Sequence, residues 1–255
     1  MTDTPMNSPV EVHEERDVQV IQGTAMPWLA VYKRELGLYF RSPIAYGVAF
    51  AILFFLGILF NSYIAQAISA NAGGQQQIAA DATYAPGLLT FLTFLIAPLL
   101  TMRLLAEESR EGTLEVLMTM PMNESQFIIG KFLAAWTYYT VLLLLTLVYY
   151  LILLTIGVPD VGVAFGAYLG AWLYGGAVLA ITLIWSAVTE DQIVAAFLGA
   201  ATVLVLYLTD LAAVWIGGQN TASSSAVADF VRELGLQAHY DATMSHGIIR
   251  AEDVL

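Results

Sequence analysis

Apolar residues in this chain run in five long blocks separated by short polar stretches. The blocks extend from about Ile44 to Ile64, Ala85 to Leu105, Phe132 to Ile156, Val163 to Val188 and Ile193 to Ile216. A bilayer core of about 30 Å needs roughly 20 predominantly apolar residues per helix. Each block meets that length, so the pattern predicts an all-α integral membrane protein, a polytopic helical bundle with five spans. Apolar residues resume at Val254-Leu255, where the sequence stops, and a sixth span is expected beyond them.

The segments around the blocks divide the chain further. Residues 1–26 are polar and acidic, with Glu11, Glu14, Glu15 and Asp17, and read as a disordered arm. They are not a signal peptide, which needs a basic start followed by an apolar stretch. In residues 27–42, Trp28, Val31, Tyr32, Leu36, Tyr39 and Phe40 recur at helical spacing while Lys33, Gly37 and Arg41 fall on another stripe. An aromatic face opposite a basic one predicts an amphipathic interfacial helix, its rings among headgroups and Lys33, Arg34 and Arg41 near anionic lipid. Pro27 suits its first turn, and Ser42-Pro43 breaks it before the first span. Residues 43–216 form the transmembrane domain, and 217–255 a segment on the far side.

Composition agrees with this division. The chain has 255 residues, 58% hydrophobic and 12% charged, where a soluble domain carries about 25% charged residues. The net charge of −12 argues against nucleic acid as a partner, since nothing could neutralise a row of phosphates. There is no cysteine, which excludes thiolate catalysis and Cys-ligated zinc. Cations set the orientation. With the N-terminus in the cytoplasm, Arg16, Lys33, Arg34, Arg41, Arg103, Arg110 and Lys131 are inside and only Arg232 and Arg250 outside, as the positive-inside rule requires.

The link between the second and third spans carries the most information. Arg103, Glu107, Glu111 and Glu115 are spaced by four and predict one helical stripe, with Leu114, Leu117 and Met118 as an apolar edge. Like charges at that spacing repel, so the stripe either meets a cationic partner or is a solvated face. Pro121 ends the first element. Asn123 and Gln126 have capping-box spacing for a new helix through Lys131, which makes residues 106–131 an elbow able to pass force from a soluble motor.

Glu107-Glu108, Gly112-Thr113, Glu115, Leu117, Pro121 and Gly130-Lys131 together resemble the corresponding stretch of ABC-2 type transporter permeases. Tyr32 to Tyr46, YKRELGLYFRSPIAY, is similar to the connecting helix and first span of that family. His239 to Val254, HYDATMSHGIIRAEDV, resembles the gliding-motility-associated permease branch. The family has six spans. The resemblance implies a bacterial inner-membrane permease subunit that works with a second permease copy or paralogue and a separate ATP-binding subunit seated on a coupling helix between spans two and three. Membrane lipid is the remaining partner. ATP and magnesium would sit on the partner chain: the only Gly-Lys pair here, Gly130-Lys131, is followed by Phe132 rather than the hydroxyl that magnesium needs. On this reading the chain is not an enzyme and binds no cofactor of its own. The alternatives are a membrane scaffold or a self-contained channel or carrier of a secretion or gliding apparatus.

Three further features remain. Gly162, Gly166 and Gly170, with Ala167, Ala171 and Gly175 on the neighbouring stripe, predict close helix packing, within the chain or between subunits. Asp210 is the only ionisable residue well inside a span and either lines a transport route or is paired for structural reasons. His239, His246 and Asp241 lack tight ligand spacing, so no metal site is expected.

Overall fold

An apolar segment in lipid must satisfy its own backbone polar groups, and a helix does so within a single segment. The computed structural model is helical through all five blocks. It describes residues 27–72, 81–112, 123–157, 159–217, 235 and 240. In chain order the helices are α1 (Pro27–Arg41), α2 (Pro43–Ala72), α3 (Tyr84–Thr101), α4 (Ala106–Arg110), α5 (Glu124–Leu145), α6 (Leu147–Ile156), α7 (Val161–Val188) and α8 (Gln192–Gly217). Among the described residues there are five stretches long and apolar enough to cross a membrane: α2, α3 with α4, α5 with α6, α7, and α8.

Helix α7 is the hub of the bundle, packed against α3, α5 and α8, while α3 also touches α8. Its small residues allow this. Gly166, Gly170 and Gly175 are buried with Ala167 and Ala171, and a Cβ on Gly175 would stand only 2.0 Å from the Tyr139 ring of α5. That buried ring donates its hydroxyl to the Ala171 carbonyl at 3.1 Å. One turn away, Trp136 and Trp172 stack at 4.3 Å, and a Cβ on Gly176 would meet Trp136 at 3.0 Å. Gly162 is exposed in the first turn of α7, where Asp160 caps the helix by accepting from the backbone N–H groups of Gly162 and Val163.

Helix α2 sits at the edge, and tyrosines pin it along its length. Tyr138, Tyr149 and Tyr84 donate to the carbonyls of Ala45, Leu53 and Leu59. Its Phe50 and Phe54 are 70% and 60% exposed, as a lipid-facing surface requires.

Local boundaries differ from the sequence expectation in four places. Helix α2 continues to Ala72, beyond the expected end of the first block near Ile64. The third span tightens at Thr146, whose N–H is shared between the Leu142 and Leu143 carbonyls. Asn123 does precede α5, but its side chain makes no cap bond; the backbone N–H groups of Gln126 and Phe127 reach its carbonyl instead. The second span does not run on as one helix through Arg103 and Glu107. It stops at Thr101, and residues 102–105 form a turn before α4, so those two side chains stand on different elements.

Helix α1 forms over Pro27–Arg41, and its aromatic face is largely packed against α5. Tyr39 stacks on Tyr138 at 5.3 Å and donates to the Leu100 carbonyl at 2.6 Å. Tyr32 shares a hydrogen bond with Thr137. Residues 218–255, apart from residues 235 and 240, lie outside the described residues, as does the arm 1–26. Tyr240 is buried beside Tyr174.

Candidate functional site: the junction of α1, α4 and α5

One end of the bundle gathers α1, the turn after α3, α4 and the start of α5. Serine 186 of α7 shapes that turn. Its hydroxyl donates to the Met102 carbonyl at 3.1 Å and accepts from the backbone N–H groups of Leu105 and Ala106 at 3.1 and 3.2 Å. The first N–H groups of a helix have no internal partner, and here one fully buried side chain satisfies two donors at the head of α4. At the other end of α4, Gly112 has φ +68°, the left-handed conformation that glycine adopts without steric cost at a helix C-terminus.

Helix α1 approaches α5 closely because Gly130 has no side chain: a Cβ there would lie 2.8 Å from the Trp28 carbonyl and 3.0 Å from the Val31 Cβ. The next residue, Lys131, is 1% exposed. Its ammonium donates to Glu35 Oε1 of α1 at 3.1 Å and pairs with Glu108 Oε1 of α4 at 3.0 Å, with the Phe127 ring 5.0 Å away. Glu35 and Glu108 are themselves 6% and 8% exposed. Removing one member of such a buried pair strands charge at a cost of about 3–5 kcal/mol.

Beside this ion triad opens a cleft of about 440 Å3. Arg34, Arg41, Arg103 and Lys131 line it, as do Glu35, Glu107, Glu108 and Glu111, so its formal charges balance. Burial pushes the Tyr39 phenol, also on its wall, well above its ordinary value; Arg103 opposes that shift and Glu35 adds to it. The side chains can hold partner groups of either sign. Among the described residues there is no cluster of three metal-ligating side chains.

Of the residues singled out in the sequence, Glu107 and Glu111 share the cleft wall while Glu108 lies in the ion triad. Arg34 and Arg41 are exposed at the cleft, Lys33 is exposed on α1, and Trp28 is half-buried where α1 meets Gly130. Thr113, Glu115, Leu117 and Pro121 lie outside the described residues, as do Leu114, Met118, His239, Asp241 and His246. Asp210 falls within α8, and its side chain is outside what is described. Sequence reasoning missed Glu35 and the burial of Lys131. The available signal was position: Glu35 falls on the same stripe as Trp28, Val31, Tyr32, Leu36 and Tyr39, and an acid in the middle of an apolar face implies a buried partner.

The bundle defines a multi-pass helical membrane protein with a charged, structured junction at one end. Residues 67–228, well over half of the chain, match the family model described as ABC-2 family transporter protein. The chain belongs to that family and is a transmembrane permease of the ABC-2 type. No curated protein and no solved structure matches it.

Proposed function

We propose that this permease is driven by a separate ATP-binding subunit, and that the junction of α1, α4 and α5 receives the stroke. The observation that carries the reading is the charged cleft at the foot of the 106–131 link, with Glu107 and Glu111 on its wall and Glu108 tied into the bundle. A partner seated there would press on an element that the Lys131 ion pairs tie to the bundle, and such a tie is needed if force is to travel. Family membership supports a translocation role, and the sequence offers no phosphate-cradling loop of its own, which favours ATP and magnesium on another chain. The cation asymmetry of the loops supports a cytoplasmic position for this end; on this reading the membrane is a bacterial inner membrane, and a second permease copy or paralogue completes the route. The family match supports ABC-2 membership and not the gliding-motility branch.

The test is purification of the tagged chain from its native membranes in mild detergent. The expected result is a stoichiometric ATP-binding chain and magnesium-dependent ATP hydrolysis in the same peak. A folded permease that purifies with neither contradicts the proposal.

A further inference from the structure

We infer that Lys131 is a positioning residue that locks α1, α4 and α5 into one mechanical unit, so that a push on the link is delivered to α1 as well as to the third span. The inference rests on the proposed role of the link. Its own ground is separate, because one ammonium reaches carboxylates on two different elements, Glu35 of α1 at 3.1 Å and Glu108 of α4 at 3.0 Å. Both pairs are made by the same ammonium, so one side chain joins the three helices.

The surroundings support a lock rather than incidental neutralisation. Helix α4 has five residues and is followed by the left-handed Gly112, so by itself it is a poor lever. Helix α1 is held at a fixed height on α5 by Gly130, where any side chain would collide with the Trp28 carbonyl. The Gly130-Lys131 pair thus sets both the approach and the bond. Fully buried charges of this kind are weak evidence for stability, and balanced apolar replacement is often neutral or stabilising. What the triad adds is geometry, since a charge-paired network in a poorly solvated site favours one arrangement of its members.

That distinction supplies the test. The chain has no cysteine, so spin labels placed at Lys33→Cys on α1 and Arg110→Cys on α4, both exposed, report the relative position of the two helices in lipid without background. The parent should give one narrow distance distribution. Lys131→Met should broaden it and lower the thermal midpoint. The triple variant Glu35→Gln, Glu108→Gln, Lys131→Met strands no charge; it should regain the parent's thermal midpoint yet keep the broad distribution, which a merely stabilising role would not produce. A triple variant as narrow as the parent overturns the inference. In the complex with its ATP-binding subunit, magnesium and ATP should shift the parent's distance and the triple variant should lose that shift. A parent complex that holds the narrow distribution but does not respond to ATP contradicts the reading of the link instead, and the two failures are therefore separable.

Discussion

Single side chains decide how this protein turns at the end of its second span. Without Ser186, the backbone N–H groups of Leu105 and Ala106 lose the acceptor that fixes the start of α4. An unsatisfied buried donor costs about 1–3 kcal/mol. Ser186→Ala should accordingly lower the thermal midpoint in detergent and increase amide exchange at residues 105–110, with the rest of α7 protected as before. Tyr139 and Gly175 form a second such point. Gly175→Ala places a methyl inside the space of the Tyr139 ring, and overpacking of this kind costs about 1–3 kcal/mol. A reduced midpoint, relieved by pairing the change with Tyr139→Leu, is the expected outcome. Tyr39 gives the pH dependence. Its pKa is raised from 10.0 by burial, so the neutral phenol is favoured in the folded chain. The stability it contributes is fully present below the unfolded value and is lost progressively as pH rises from there through the higher folded one. Comparison with Tyr39→Phe should therefore show no tyrosinate absorbance from Tyr39 at pH 10 in the folded protein.

Among the elements, the long apolar helices were legible in the sequence and the junction was not. Blocks such as Val163–Val188 declare themselves because an unbroken apolar run of that length can satisfy its backbone groups in lipid as a single helix. Helix α1 was legible as a helix, but the packing of its aromatic face on α5 was not, because hydrophobic spacing alone does not distinguish lipid from protein as the covering surface. Tyr39 and Tyr138 make that contact by stacking. The Arg103–Glu115 stripe assumed an unbroken helix; the break at 102–105 depends on Ser186, roughly 80 residues away, and no local pattern encodes it. Sequence places Lys131 on the helix that enters the third span and counts it among the cytoplasmic cations, but its burial depends on Glu35, 96 residues away, which no local pattern encodes. The cation distribution predicts the orientation, and labelling measures it directly. A single cysteine at Arg110 should react with an impermeant maleimide only after the membrane is opened, and one at Asp81, at the opposite end of α3, should react in intact cells. The reverse pattern would invert the assigned topology.

For the whole molecule, apolar surface and charge are segregated. Phe165, Phe197 and Val205 are all more than 60% exposed, a surface that suits lipid and would be a liability in water, while the described ion pairs converge on the junction of α1, α4 and α5. That separation is what a permease needs if its spans are to move in the bilayer while a soluble partner pushes on one end. The central claim is that the push arrives through Glu107 and Glu111, and charge reversal tests it most directly. Lysine is well tolerated in helices, so Glu107→Lys and Glu111→Lys should insert normally, and Glu124→Lys, in the first turn of α5, controls for the loss of an acidic residue near a helix N-terminus. The measurement is ATP hydrolysis and retention of the ATP-binding chain in the purified complex at fixed salt. The account predicts loss of retention, of hydrolysis or of both in the Glu107 and Glu111 variants and near-parental values in the Glu124 variant. Parental retention and hydrolysis in all three would show that the carboxylates are only solvated and that the stroke, if there is one, enters elsewhere.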